Sequence, residues 1–188
     1  NILELYLKKL IKSNKKILVS VMWVNNETGV IQPIKDVVEI AKKYGCLVHC
    51  DAAQALGKVR INLEEIELDF LTLSGHKIGA PTGIGALVYN NDINLTPLIL
   101  GGGQEKGMRA GTENILGIRG FGEAAKFVNN STENNCSKVK SLRDYFQKII
   151  KNLSPETTIF GEKANRVSNT LLMAHPNISG DLALMKLD

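Results

Sequence analysis

The sequence predicts an α/β fold, in which a mostly parallel β-sheet is flanked by helices and followed by part of a small α+β unit. Apolar runs of strand length alternate with segments of helical spacing, which is the order of parallel strands joined by helices. The run ILVSVMW at residues 17–23 is apolar almost throughout rather than alternating, which indicates a strand covered on both faces. No apolar run approaches the ~20 residues needed to cross a bilayer.

The first half of the chain supplies most of the predicted sheet. Residues 2–13 have apolar side chains at helical spacing, and residues 33–44 predict a helix that begins at Pro33 and ends before Gly45. The further predicted elements are strands in CLVHCDA, DFLTLSG and GALVYN and a short helix at residues 62–67.

The second half of the chain predicts fewer strands. Residues 90–112 contain GGG and RAGT and few periodic apolar positions, and long loops in compact domains tend to be functional. Residues 114–153 predict helix interrupted by the polar segment NNSTENN, and residues 156–175 predict strands of a smaller unit before a final helix. We therefore predict a partial large domain over residues 1–128 and the start of a small, truncated C-terminal domain over residues 129–188.

Composition narrows the classes of function. The net charge is +4, but the lysines are scattered among acidic residues and aromatics make up only 5%, so no nucleic-acid-binding face is indicated. The three cysteines, Cys46, Cys50 and Cys136, have neither CxxC spacing nor a nearby set of further ligands. They predict buried thiols in a reducing compartment and no metal site.

Polar residues follow three successive predicted strands at the point where each ends. In open α/β sheets, ligands bind outside the carboxyl ends of the strands. This convergence therefore predicts a ligand site at one edge of the sheet. The polar residues concerned are Asn25, Asn26 and Glu27 after the first strand, Asp51 and Gln54 after the second, and Ser74, His76 and Lys77 after the third.

The residue types at these strand ends suit one cofactor. Asp51 is either a helix N-cap or a carboxylate facing a protonated ring nitrogen. Lys77 is either an exposed loop lysine or an amine that forms a Schiff base. Ser74, His76 and nearby glycine N–H groups suit a phosphate. A partner for a ring nitrogen, an amine for an aldehyde and donors for a phosphate together describe a pyridoxal phosphate site.

These segments resemble the cysteine desulfurases of the aminotransferase class-V group, most clearly the branch that serves iron–sulfur cluster and nitrogenase assembly. The matching segments are VNNETGVIQPI, HCDAAQALGKV, DFLTLSGHKIGAPTGIGALV, LGGGQEKGMRAGTENI and RVSNTL, in the family's order over most of residues 17–175. The resemblance implies an aspartate aminotransferase-like large domain that binds pyridoxal 5'-phosphate. It also implies conversion of L-cysteine to L-alanine, with the sulfur transferred as a persulfide.

The resemblance implies a role for each candidate residue. Lys77 resembles the catalytic lysine that carries the cofactor and moves the substrate Cα proton. Asp51 resembles the partner of the pyridinium nitrogen, Gln54 the residue that bonds the ring hydroxyl, and Asn26 the asparagine near that hydroxyl and the substrate carboxylate. Ser74 and His76 resemble phosphate ligands, and Thr112 the threonine that reaches the phosphate of the other subunit.

The partners follow from the same resemblance. They are L-cysteine as substrate, a second copy of the chain in a homodimer, and an iron–sulfur scaffold or another sulfur acceptor. The expected location is the cytoplasm, with an organelle as the alternative.

The chain departs from the family pattern at its C-terminal side. The persulfide cysteine of the family lies in an SSGSAC-like stretch beyond RVSNTL, and this chain ends at Asp188 before any such stretch. The expectation is therefore a middle section of the enzyme that is inactive alone. The alternatives are a non-catalytic remnant, a fragment that dimerises or binds a partner, or a related class-V lyase or aminotransferase such as a selenocysteine lyase.

Overall fold

The computed structural model describes residues 2–187, apart from the side chains of residues 131–135 and 187. The main sheet has four strands in the order β1 (Leu18–Met22), β2 (Leu47–Asp51), β3 (Phe70–Ser74) and β4 (Gly85–Tyr89). The first three are parallel and β4 is antiparallel to β3. The helices are α1 (Ile2–Leu10), α2 (Ile34–Lys43), α3 (Ile115–Leu153) and α4 (Gly180–Leu187), and β5 (Thr158–Ile159) pairs with β6 (Met173–Ala174). The predicted α/β fold with a mostly parallel sheet is confirmed.

One face of the sheet contributes to the hydrophobic core. Val48 and Cys50 of β2 are fully buried, in one cluster with Val38 and Ala41 of α2 and with Leu71 of β3. Because side chains alternate along a strand, residues 47, 49 and 51 lie on the opposite face of the sheet. That opposite face carries the candidate site.

The opposite face is only partly covered by the described residues. Leu18 of β1 and Leu87 of β4 lie on it, because Leu18 pairs with Leu47, and Leu87 pairs with the strand partner of Asp51. The two leucines are 53% and 51% exposed. The expectation that the strands are covered on both faces is therefore met on one face only.

Three predicted elements differ from the structure. Residues 62–67 form turns rather than a helix, and α3 runs through residues 129–135 without the predicted interruption. The strands predicted within residues 156–175 are reduced to β5 and β6, of two residues each. The predicted domain boundary at residue 128 falls inside α3, and the division into two domains stays a prediction.

None of the helices in the described part of the chain is both long enough and apolar enough to span a bilayer.

Candidate active site

The carboxyl ends of the parallel strands bring the candidate residues to one edge of the sheet. Asp51 is the last residue of β2 and Ser74 is the last residue of β3. Asp51 pairs with Thr72, two residues before Ser74, so the side chains of Asp51 and Ser74 lie on the same face. The main-chain N–H of Trp23 donates to the carbonyl of Asp51 at 2.8 Å, which holds the end of β1 against the end of β2.

Asp51 is half-buried at the end of its strand. Its Oδ1 accepts a hydrogen bond from the main-chain N–H of Ala53 at 2.9 Å, so the carboxylate caps the turn that follows β2. Among the described residues, its Oδ2 has no hydrogen-bond partner. Asp51 can therefore cap the turn through Oδ1 and still offer Oδ2 to a ligand.

The segment after β3 places a serine, a histidine and a lysine in one tight turn. Ser74 Oγ and His76 Nδ1 share a hydrogen bond of 3.0 Å, and Lys77 lies in the 3₁₀ helix Gly75–Ile78 that follows. Glycine is required at residue 75, because a Cβ there would lie 2.7 Å from Ile84 Cγ2. Lys77 is exposed, and its amine has no hydrogen bond or ion pair within the part of the chain that is described.

Gln54 contacts a residue that the sequence reasoning missed. Lys58 Nζ donates to Gln54 Oε1 at 2.7 Å. Burial lowers the pKa of the Lys58 amine, and the charge of Lys77 lowers this pKa further. The two amines are therefore within electrostatic reach of each other. The four-residue separation of Gln54 and Lys58, typical of side-chain pairs on a helical turn, was the available signal.

The two asparagines after β1 have different surroundings. Asn25 Oδ1 accepts hydrogen bonds from the main-chain N–H groups of Glu27 and Thr28 at 3.1 and 2.9 Å, so Asn25 builds the turn. Asn26 is exposed, and its Nδ2 donates to Glu27 Oε1 at 2.7 Å. Its side-chain oxygen has no partner among the residues described, so of the pair Asn26 has the free acceptor at this edge.

Thr112 does not belong to the strand ends that carry the other candidates. It is exposed in the loop before α3, and in the described structure no hydrogen bond joins it to the remaining candidate residues. Its predicted role at the phosphate of a second subunit stays a prediction.

A row of polar side chains crosses the site face of the sheet and was also missed. Ser20 Oγ and His49 Nδ1 are 2.8 Å apart, and His49 Nε2 and Thr72 Oγ1 are 3.3 Å apart. His49 and Cys50 point to opposite faces of β2, since Cys50 is fully buried and His49 is half-buried.

The three cysteines are free thiols, and Cys46 and Cys50 are buried as predicted, whereas Cys136 is only partly buried. Burial raises the pKa of the Cys50 thiol to about 12, with a further contribution from the charge of Asp51, and burial also raises the pKa of Cys46. A raised pKa keeps a thiol protonated and unreactive at neutral pH. No group of three or more His, Cys, Asp or Glu side chains suited to a metal ion lies within the described residues.

The fold and the polar strand ends define an α/β domain of the kind that binds a ligand beyond the carboxyl edge of its sheet. The chain belongs to the aminotransferase class-V family, whose sequence profile matches residues 3–188. It is 41% identical over 94% of its length to a cysteine desulfurase of Gluconacetobacter diazotrophicus, and 42% identical over its whole length to the cysteine desulfurase IscS of Ehrlichia chaffeensis.

The chain spans less than half of those two relatives, 44% and 46% of their lengths. Among solved structures, the NifS-like protein of Rickettsia africae is similar at a TM-score of 0.92 and 40% sequence identity. That match covers 97% of this chain and 51% of the other.

Proposed function

We propose that this chain belongs to a pyridoxal 5'-phosphate-dependent cysteine desulfurase, which converts L-cysteine to L-alanine and transfers the sulfur as a persulfide. The observation that carries the proposal is the placement of Asp51, Ser74 and Lys77 at the carboxyl edge of neighbouring parallel strands. The relatives named cysteine desulfurase support the choice of substrate.

The residues of the site fit this cofactor on their own chemistry. Asp51 keeps Oδ2 available after its turn-capping bond, and the Lys77 amine is exposed and has no described partner. Ser74 and His76 lie in hydrogen-bond contact at the start of the glycine-flanked turn. A carboxylate, an amine and a donor cluster are the groups that a pyridinium nitrogen, an aldehyde and a phosphate require.

Asp51 and Lys77 have separate roles in the proposed reaction. When bound, pyridoxal phosphate supplies an electron-withdrawing ring that stabilises negative charge on the substrate Cα. Asp51 Oδ2 holds a proton on the ring nitrogen, because a nearby carboxylate favours the charged form of that nitrogen. Lys77 Nζ is the amine that would hold the aldehyde group, and it would move the proton at the substrate Cα.

The remaining candidates orient the reactants. Gln54 would bond the ring hydroxyl oxygen, and Asn26 would serve that oxygen and the substrate carboxylate. Ser74 and His76 would donate to the phosphate. Thr112 would donate to the phosphate of a second subunit, and its resemblance to the family threonine with that role supports a homodimer.

Sulfur transfer needs an enzyme thiolate that attacks the substrate sulfur. The new S–S bond forms as the C–S bond of the substrate breaks. The electron pair of the broken C–S bond stays on the substrate carbon, which takes a proton to give alanine. Cys46 and Cys50 do not suit this role, since burial raises their pKa values. We assign the thiolate to none of the three cysteines.

The sulfur acceptor and the cellular location are also part of this proposal. The segment RAGTEN, with its resemblance to the branch that serves iron–sulfur and nitrogenase assembly, supports an iron–sulfur scaffold as the acceptor. The three free thiols support a reducing compartment such as the cytoplasm.

Cofactor binding is the first test. Adding pyridoxal phosphate to the chain should produce a visible absorbance band, and borohydride should fix the cofactor on Lys77, as located by peptide mass spectrometry. Lys77→Ala should abolish both signals, while Lys106→Ala should keep both. A label spread over many lysines, or one unchanged in Lys77→Ala, would contradict the proposal.

Turnover is tested in the whole protein. Sulfide and L-alanine should be released from L-cysteine in equal amounts in the presence of a thiol reductant. A protein that bound the cofactor at Lys77 but released neither product would contradict the desulfurase activity and leave the cofactor site standing.

A further inference from the structure

Lys58 lies beside the candidate site and has no role in the proposed reaction. It follows Gln54 by four residues in the turn segment after β2. Its amine donates to Gln54 Oε1 at 2.7 Å, which is a short bond for this pair of atoms. Both side chains are partly buried, so the bond is protected from competition with bulk water.

The chemistry of the two groups fixes which end of the amide is held. An ammonium group has three donors and no acceptor, so it can bond only the amide oxygen of Gln54. The opposite end of the amide, Nε2, carries two N–H donors and has no partner among the described residues. The Lys58 contact therefore turns the glutamine into a donor toward the site.

The backbone around Lys58 is held from two sides. The main-chain N–H of Val59 donates to the Ala55 carbonyl at 2.8 Å, and that of Leu56 donates to the Ala52 carbonyl at 3.1 Å. These bonds give the segment the helical form that brings residues four apart together. From the other side, Cys136 Sγ of α3 contacts the Lys58 carbonyl at 3.8 Å.

From this geometry we infer that Lys58 is a positioning residue, which holds the amide of Gln54 with Nε2 turned toward a hydrogen-bond acceptor on the bound ligand. The inference rests on the proposed function, in which that acceptor is the ring hydroxyl oxygen of pyridoxal phosphate. Without Lys58, the amide can rotate and present Oε1 to this oxygen, and two acceptors repel each other.

A double-mutant cycle tests whether Lys58 acts through Gln54. In the cofactor-loaded chain, Lys58→Met should weaken cofactor binding about fivefold, the size of one hydrogen bond. In a Gln54→Leu background, Lys58→Met should have no further effect on affinity. Lys58→Met should also shift the pH at which the absorbance of the bound cofactor changes, and Lys58→Arg, which still donates to Oε1, should restore both the affinity and that pH. Lys35→Met, an exposed lysine on α2, is the matched control.

A second readout does not need the cofactor. In the ligand-free chain, NMR relaxation of the Gln54 side-chain amide should show an ordered group that becomes mobile in Lys58→Met, at unchanged melting temperature. An amide equally ordered in both proteins would overturn the inference, as would a Lys58→Met effect on affinity that persists in Gln54→Leu. Failure of the unaltered chain to bind cofactor would overturn the proposed function instead, and the amide measurement would still decide the role of Lys58.

Discussion

At the scale of single residues, Asp69 is a buried carboxylate that is paired with the partly buried amine of Lys42. Asp69 is 4% exposed, accepts from Lys42 Nζ at 2.7 Å through both oxygens, and accepts from the main-chain N–H of Val48 at 2.7 Å. We expect Lys42→Met to lower the free energy of unfolding by about 3 kcal/mol, because it leaves a buried carboxylate without its counter-ion. Urea denaturation measures this loss.

The exposed pair between Lys126 and Glu123 is the control for that measurement. Its side chains are 73% and 61% exposed, so Lys126→Met should leave the free energy of unfolding unchanged within error. Equal effects of the two lysine substitutions would contradict the importance given to burial.

The residues of the candidate site can be predicted from the sequence, whereas this ion pair cannot, and the difference has a physical reason. Asp51, Ser74 and Lys77 could be found because strand ends are visible in the apolar pattern and because parallel strands end at the same edge. Lys42 and Asp69 are 27 residues apart, on a helix and before a strand, so their pairing depends on how α2 packs. The spacing of residues along the sequence does not predict packing of this kind.

At the scale of elements, a carboxylate joins α1 to the end of α2. Glu4 Oε1 accepts from Lys43 Nζ at 2.9 Å and from the Tyr44 hydroxyl at 2.8 Å, and these bonds lower the pKa of Glu4 from 4.5 to about 2. A pKa that is lower in the folded state stabilises the fold above the unfolded value, and this stability is lost as pH falls through the folded value.

Glu4→Gln should therefore be destabilised relative to the unaltered chain above pH 4.5, and the difference should vanish as pH falls toward 2. Urea denaturation over this pH range measures it. Glu39→Gln, on the exposed side of α2, should show no such dependence. A Glu4→Gln effect that is constant with pH would rule out the charge of Glu4 as its source.

Gly57 is where three elements meet, the turns after β2, the 3₁₀ helix that carries Lys77, and α3. Its φ is +73°, and a Cβ there would lie 3.1 Å from Ile78 Cγ2 and 3.2 Å from Val128 Cγ1. Gly57→Ala should lower the free energy of unfolding by about 2 kcal/mol, because the left-handed conformation and the tight contacts both oppose a side chain. Gly122→Ala, in open space on α3, should instead raise it by up to about 1 kcal/mol. Thermal unfolding distinguishes the two signs.

Two segments were predicted wrongly from the sequence, because local patterns do not include the contacts that decide their structure. Residues 62–67 contain good helix formers, but the segment is short, and Asn62 Oδ1 accepts from the main-chain N–H of Glu64 at 3.0 Å, which favours a turn. Asparagines in residues 129–135 suggest a break, yet α3 is anchored on both flanks, by Val128 beside Gly57 and by Cys136 on Lys58. Cooperative helix formation between two anchored flanks outweighs weak local propensity.

At the scale of the whole molecule, the two faces of the sheet differ in how they are covered. The face toward α2 is a packed core, whereas the site face leaves Leu18 and Leu87 about half exposed on outer strands of the sheet. Large apolar side chains exposed on one face of a sheet are available to bind another protein surface or to promote association. The same face carries Asp51, so covering it would also shield the site from water.

The chain should therefore bind the dye ANS and associate at high concentration. A Leu18→Thr, Leu87→Thr double variant introduces β-branched side chains that suit strands, and should reduce ANS fluorescence by roughly half and slow association. Leu142→Gln removes a leucine that is 68% exposed on α3 and should change neither property, because that residue belongs to a helix and not to the strands of the sheet. Fluorescence titration and sedimentation velocity measure both effects. If the Leu142 variant lost as much ANS fluorescence as the double variant, the dye would be reporting scattered leucines, and the sheet face would not be the surface that drives association.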